Sequence, residues 1–280
     1  MPASNEQDGR GLRVLRPIER VGEALLTLLD HAGHAVNLAI ETLVWLGRGL
    51  TMHRARRGVP LVVMQIIRVG VRSIFIVSLV SGCVGLILAL QLAPPLDQFG
   101  SRELVANIIG VAVLRELGPL IGAIVLTGFA GASIAAELGT MVVSEEIEAL
   151  EAHALNPVRF LVVPRVSATI SSMTVLGVIS DLVAIGCAMG ASMVILDIPP
   201  ALFMENLLYQ VSLIDFLTGI GKATIFGMLI GLIACTNGLK VSGGAAGVGN
   251  ATTQTVVQCV VAIIIADLVF TAIFYAFELF

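Results

Sequence analysis

The chain has 280 residues, of which 57% are hydrophobic and only 13% are charged, and its net charge is −4. Soluble domains carry about 25% charged residues, so this composition excludes an ordinary soluble domain and predicts an integral membrane protein. The four cysteines (Cys83, Cys187, Cys235 and Cys259) lie in apolar runs without the spacing of a metal site. We therefore predict neither a metal site nor a disulfide.

The first part of the chain is predicted to lie outside the hydrocarbon core. Residues 1–16 are polar and basic and are predicted to be disordered. Residues 17–58 combine apolar positions at helical spacing, up to about Leu50, with a basic loop at residues 53–57. A helix with one apolar and one polar face lies in the membrane interface and does not span it. Residues 59–72 are predicted to form a short helix that bends into the bilayer.

Residues 59–280 are predicted to form the membrane domain, in which a span needs about 20 residues. Five apolar runs meet this length, at about residues 74–92, 103–141, 166–196, 215–236 and 253–277. The first is predicted to end at Pro94-Pro95. The second is too long for a simple span and is interrupted at residues 115–119, which indicates one long helix, either intact or broken there. Residues 201–214 are predicted to form a short surface helix, and residues 243–249 a flexible connection.

The distribution of lysine and arginine predicts the orientation in the membrane. Nearly all basic residues near the ends of the apolar runs fall on the side of the N-terminus. The opposite loops carry one base, Arg102, beside the acids Asp97, Glu103, Asp197, Glu205 and Asp215. Since cytoplasmic loops are enriched in lysine and arginine, the N-terminus is predicted to be cytoplasmic. Five spans then place the C-terminus on the other side of the membrane.

A charged segment separates the second and third spans. Ser144 is predicted to cap a short helix whose first turn, Glu145-Glu146, complements the helix dipole, and Asn156-Pro157 is predicted to end it. A short acidic helix outside the bilayer is typical of a docking surface for a soluble partner, and equally of a solvated connection. The candidate docking residues are Glu145, Glu146, Glu148, Leu150, Glu151, Asn156, Pro157 and Arg159.

Charged residues inside the apolar runs are candidate functional residues, because each is costly in hydrocarbon. They are Arg115, Glu116, Asp181, Lys222 and Asp267. Their distances from the span ends put them at similar depths, in the half of the membrane away from the N-terminus. Lys222 and Asp267 are the expected ion pair and, with Asp181, are interpreted as structural. Arg115 and Glu116 precede a Gly-Pro pair, where a helix can open onto a cavity, and an arginine there could contact a lipid phosphate.

The sequence does not indicate an enzyme. Gly219–Thr224 superficially resembles a phosphate-binding loop, but alanine follows its lysine and it lies within a span. We predict no catalytic residue, no cofactor and no nucleic-acid partner for this chain. One alternative is a self-sufficient secondary transporter that uses Asp267, Lys222 and Glu116 as a relay. A structural membrane scaffold without a substrate is another.

Several ordered motifs resemble the MlaE/YrbE permease family, over about residues 60 to 275. They are Leu114–Pro119, Ala136–Met141, Glu145–Glu151, Asn156–Arg159, Val163–Arg165, Gly243–Gly249 and Ala251–Val257. The resemblance implies the membrane subunit of an ABC transporter that moves phospholipids or related lipids. It also implies residence in the bacterial inner membrane, where ATP hydrolysis belongs to a separate subunit.

The same resemblance implies partners and site residues. The partners would be an MlaF-like ATPase, an MlaD-like MCE-domain protein on the periplasmic side, and a second permease subunit in a homodimer. The charged segment would be the coupling helix that seats in the ATPase, and Arg115 and Glu116 would belong to a lipid pocket between the two permease subunits. The sequence departs from the family at Phe129, where many members carry an arginine.

Overall fold

The computed structural model describes residues 33, 36–45, 47 and 59–277. The predicted disordered segment 1–16 and most of the predicted interfacial segment 17–58 lie outside the described residues. The longest described part of the interfacial segment is a helix, α1 (Val36–Trp45).

The first two membrane-spanning segments are each built from more than one helix. The first holds α2 (Val59–Val69) and α3 (Ile74–Gln98), which a short 3₁₀ turn joins. The second holds α4 (Val105–Ala112), α5 (Gly118–Leu126) and α6 (Ala132–Val143). Both are long and apolar enough to cross a membrane.

The remaining spans contain single long helices, α8 (Val163–Ile195), α10 (Leu213–Leu239) and α11 (Gly244–Ala276). Two short helices connect spans: α7 (Glu146–Ala152) joins the second to the third, and α9 (Pro200–Gln210) joins the third to the fourth. Consecutive spans run in opposite directions, so these short helices lie on opposite sides of the membrane, here called the α7 side and the α9 side. The prediction of an all-α membrane protein with five membrane-spanning helices is confirmed.

Two predicted helix boundaries are wrong. Helix α3 continues through Pro94 and Pro95 to Gln98. The fixed φ of proline is compatible with a helix, and the two prolines lie in its last five residues, where few backbone hydrogen bonds remain to be lost. Helix α11 begins at Gly244, so most of the predicted flexible connection is helical. Gly243, with φ 87°, makes the turn before it in a conformation that glycine adopts without strain.

The second span remains helical across its predicted interruption. A π-helical turn at Val113–Leu117 joins α4 to α5, and a second at Thr127–Gly131 joins α5 to α6. Such turns widen the helix by one residue and re-aim the side chains beside them. The alternative of an open break at the Gly-Pro pair is therefore wrong, and the charged pair before it lies on a π turn.

Helix α10 lies at the centre of the bundle, where it contacts α5, α6, α8 and α11. Its Phe226 and Ile230 are fully buried in the main apolar core. At Gly219 the α10 backbone packs directly on the carbonyl of Leu114, where a Cβ would overlap it. This close approach puts the π turn of the second span against the first half of α10, which positions the charged side chains described next.

Candidate functional site

Lys222 is the centre of a charged network inside the bundle. Its side chain is only 1% exposed, and its Nζ lies 2.6 Å from Glu116 Oε2 and 2.9 Å from Asp267 Oδ1. The expected contact of Lys222 with Asp267 is therefore present, and Glu116 is a second carboxylate partner. One ammonium thus joins the second, fourth and fifth spans, and this pairing offsets the cost of placing it in hydrocarbon.

Thr271 and Phe274 of α11 complete this network. The Thr271 hydroxyl donates to Glu116 Oε1 at 2.9 Å, and Lys222 Nζ donates to Thr271 Oγ1 at 3.2 Å. The ammonium also lies 5.8 Å from the centre of the Phe274 ring, within cation–π range. Helix α11 is therefore fastened by polar contacts both to the second span and to α10.

Arg115 pairs with Asp215 at the start of α10. Its Nε donates to Asp215 Oδ1, and the Asp215 side chain is only 2% exposed. The other carboxylate oxygen accepts from the backbone N–H of Ser212 at 2.7 Å and from its hydroxyl at 3.0 Å. Ser212 Oγ accepts in turn from the Asp215 N–H, so the two residues form the capping box of α10.

Asp215 was not among the predicted site residues, because its position suggested an exposed loop. The Ser212-x-x-Asp215 spacing is a sequence signal for a helix N-terminus and could have placed this aspartate in the first turn of α10. It could not have identified Arg115 as its partner, since that contact depends on the packing of α10 against the second span.

Arg115 and Glu116 are adjacent in the chain and bind opposite charges on one helix. Their partners Asp215 and Lys222 are two turns apart on α10, about 10 Å along its axis. The side chains of Arg115 and Glu116 remain 20% and 30% exposed. A cation and an anion are thus partly exposed side by side within an apolar span.

Asp181 lies near this site but forms no ion pair within the part of the chain that the structure describes. The residue is 4% exposed, and its Oδ1 has no hydrogen-bond partner there. The carboxyl packs on the Cα of Gly118, where an added Cβ would overlap it. Gly118 thus makes room for Asp181 directly after the π turn, and the structural interpretation of Asp181 remains a prediction.

The acidic helix on the α7 side has one exposed and one half-buried face. Glu146, Glu148 and Glu151 are exposed, whereas Ile147 and Leu150 pack against the apolar core. Leu150 therefore holds α7 to the bundle, which leaves the glutamates as the surface open to a partner.

Both predicted ends of this helix are wrong. Ser144 does not cap it: its single hydroxyl proton is shared between Thr140 O at 2.9 Å and Glu146 Oε1 at 3.2 Å, and Glu145 precedes the helix with φ 60°. The helix ends at Ala152, before the predicted stop. Asn156 instead begins the next helical segment, because its Oδ1 accepts from the Arg159 N–H at 3.1 Å.

Helix α1 contacts the connection between α7 and α8. Asn156 Nδ2 donates to Glu41 Oε1 at 3.1 Å, and the Arg159 guanidinium lies 5.0 Å from the centre of the Trp45 ring. Pro157, which lies between Asn156 and Arg159 in the sequence, is half-buried. Two of the predicted docking residues therefore also hold α1, and this link between the interfacial segment and α7 was not predicted.

A second charged cluster ties α6 and α8 to the first span. Glu137 of α6 accepts from Arg68 of α2, and its other oxygen lies 3.5 Å from Arg165 of α8. Arg165 is buried and donates to Leu161 O at 2.9 Å. These residues were not predicted as a site. The sequence signal that could have suggested the cluster is that one acid and two bases lie near those ends of the apolar helices that face the α7 side.

The comparisons with known proteins identify the family. Residues 62–273 match the family described as Permease MlaE. The chain belongs to the MlaE permease family. Phe129, where a departure from the family was expected from the sequence, lies on the second π turn and is 44% exposed.

Individual relatives are named as ABC transporter permeases. A probable ABC transporter permease protein of Rickettsia prowazekii is 33% identical over 215 residues, which cover 77% of this chain and 83% of the relative. A similarly named protein of the cyanobacterium Synechocystis is 33% identical over 203 residues, covering 72% and 77%. The chain is therefore a membrane permease subunit of an ABC transporter. This finding argues against the alternative of a self-sufficient secondary transporter.

We expect Lys222→Met to destabilise the protein strongly, because it leaves the carboxylates of Glu116 and Asp267 without their cation. Removing one partner of a buried ion pair costs about 3–5 kcal/mol. Thermal unfolding of the purified protein in detergent measures the loss, and Lys240→Met, at the end of α10, is the matched control. Adding Glu116→Gln and Asp267→Asn to Lys222→Met should recover part of the stability; no recovery would contradict the network.

Trp45 is the single tryptophan of the chain, so its fluorescence reports directly on the contact of α1 with the α7–α8 connection. We expect Arg159→Gln to change the intensity and emission maximum of Trp45, because the cation leaves the ring, whereas Arg159→Lys should have a smaller effect. Arg102→Gln, on the α9 side, is the control. Identical spectra for the wild type and Arg159→Gln would show that α1 does not dock in this way.

Proposed function

We propose that this chain moves phospholipids or related lipids between the bacterial inner membrane and an MlaD-like MCE protein in the periplasm. An MlaF-like ATPase subunit supplies the energy, and ATP hydrolysis belongs to that partner. The observation that carries the proposal is the charged pair Arg115–Glu116, which is partly exposed at membrane depth within a permease of this family.

The chemistry of this pair fits a lipid headgroup. A guanidinium binds phosphate through charge-assisted hydrogen bonds, and a nearby carboxylate suits the ammonium of a zwitterionic headgroup. Charges at membrane depth normally face a bundle interior or a water-filled cavity. We propose a homodimer in which a pocket between two copies of this chain covers the exposed sides of Arg115 and Glu116.

The exposed glutamates of α7 fit the proposed contact with the ATPase. Glu146, Glu148 and Glu151 form a negative surface on a helix whose apolar side is already used by the bundle. Helix α6 continues into α7 after Ser144 and Glu145, so a displacement of α7 acts on the second span. Binding of the ATPase can shift the conformation only by as much as its affinity differs between the two states.

The orientation proposed here places the α7 side in the cytoplasm. Arg68, Arg159, Arg165 and Lys240 lie toward that side, and the basic loop at residues 53–57 belongs to it by sequence. On the α9 side, Arg102 is bound to Asp97 by two hydrogen bonds and donates to Leu196 O at 3.1 Å. The positive-inside rule supports a cytoplasmic N-terminus and a periplasmic C-terminus.

We expect Glu148→Lys to weaken the association with the ATPase subunit, because it reverses a charge at the centre of the exposed face of α7. Co-purification of the tagged permease with the ATPase measures the retained fraction. Glu103→Lys, an exposed glutamate on the α9 side, is the matched control. Equal recovery of the ATPase with both variants would contradict the assignment of α7 as the coupling helix.

We expect Arg115→Gln to lower lipid transport about tenfold or more, because the charge-assisted contact with the phosphate is lost. The complex should still assemble, because the glutamine amide keeps a hydrogen-bond donor for Asp215 and Ser212 still binds that carboxylate. Transfer of fluorescent phosphatidylglycerol from proteoliposomes to an acceptor, in the presence of ATP, measures this rate. Size-exclusion chromatography of the complex provides the assembly control. A normal transfer rate in Arg115→Gln would overturn the lipid-site proposal.

A further inference from the structure

Asp215, the partner of Arg115, is much less exposed than the arginine that it binds. Its carboxylate is nearly inaccessible, with a side chain 2% exposed, whereas the Arg115 side chain that it binds is 20% exposed. The arginine thus contacts a nearly inaccessible anion while part of its own side chain stays exposed. The Asp215 carboxylate thus binds Arg115 in the way that an external anion would.

The protein holds this anion in place independently of Arg115. Asp215 Oδ2 accepts from both the backbone N–H and the hydroxyl of Ser212, and the Asp215 N–H donates back to Ser212 Oγ. The carboxylate therefore stays at the start of α10 if the arginine moves, and its Oδ1 then loses its charged partner in a buried position.

We propose that Asp215 is a positioning residue that acts as an internal counter-anion of Arg115 and keeps the hold of this arginine on a lipid phosphate weak enough for release. This inference rests on the proposed function, since it assumes that Arg115 binds the headgroup. A phosphate that draws Arg115 toward itself competes with Asp215 Oδ1. The carboxylate regains the arginine when the lipid leaves, so release is favoured.

The neighbouring ion pair between Glu116 and Lys222 confines this competition to the Arg115 side chain. Glu116 is held by Lys222 and Thr271, and these contacts keep the π turn beside α10 while the Arg115 side chain changes partner. The exchange therefore leaves the contacts of Glu116 with Lys222 and Thr271 in place. A transporter benefits from such an arrangement because a headgroup bound too tightly would slow turnover.

The decisive variant is Asp215→Asn, which removes the negative charge and keeps a side-chain oxygen able to accept from the Ser212 N–H. We expect its KM for phosphatidylglycerol to fall about tenfold, and its kcat for ATP-driven transfer to fall as well, because release becomes slower. A purely structural defect would lower kcat or raise KM and would not strengthen binding. Ser212→Ala is the matched control, since it weakens the cap and leaves both charges in place.

Binding measurements on the full-length permease in nanodiscs identify the chemical group that is recognised. We expect Asp215→Asn to bind fluorescent phosphatidylglycerol more tightly and fluorescent diacylglycerol with the same tails unchanged. Inorganic phosphate at millimolar concentration should displace neither fluorescent lipid. If it displaced both lipids equally, the site would be one for free anions and the lipid assignment would be overturned. Unchanged or weaker binding of phosphatidylglycerol by Asp215→Asn would overturn the counter-anion inference.

A double variant keeps the test valid if Asp215→Asn alone folds poorly. Arg115→Gln with Asp215→Asn replaces the ion pair by two amides, and it should bind phosphatidylglycerol as Arg115→Gln does. Tighter binding by the double variant would mean that Asp215 repels the phosphate without acting through Arg115. Normal transport in Arg115→Gln would contradict the proposed function itself, whereas a defect in Arg115→Gln with wild-type kinetics in Asp215→Asn would contradict only this inference.

Discussion

The structure depends on the pairing of charges at membrane depth. A lone ion in hydrocarbon is costly, so each charged residue restricts the helices around it to arrangements that supply a partner. Arg115 and Glu116, adjacent on a π turn, require an acid and a base two turns apart on α10, and Asp215 and Lys222 meet that requirement. A shift of α10 by one turn would break both pairs together. The two pairs therefore fix the axial register of the second and fourth spans.

The same constraint explains why small residues accompany the charges. Short ion-pair distances require the helix backbones to be close, and Gly219 allows α10 to pack on the carbonyl of Leu114 beside Arg115. Gly118 provides the space for the Asp181 carboxyl on the neighbouring contact with α8. Glycine at these two positions is thus required by the packing around the charged site, and backbone flexibility is not needed to explain it.

The sequence predicted the properties that depend on composition and local spacing, and it failed where tertiary packing decides. The number of spans follows from hydropathy, and the helical class follows from periodicity. The contact of Lys222 with Asp267 follows from their similar depths along two helices. The partner of Arg115 does not, because depth alone could not place Asp215 inside the bundle. The end of α7 was predicted wrongly for a related reason: Asn156 can end one helix or begin the next, and the position of α8 determines which occurs.

The two charged clusters lie on either side of one π turn in the second span, which bears on how α7 could influence the proposed lipid site. Glu137 is bound by Arg68 and Arg165 near the α7 side, and Glu116 is bound by Lys222 toward the α9 side. The π turn at Thr127–Gly131 lies between them and interrupts the regular hydrogen-bond ladder. Bending of a long helix concentrates at such turns. A displacement of α7 that leaves the Glu137 cluster intact would therefore bend the second span near Phe129 and act on the Glu116 cluster as a unit.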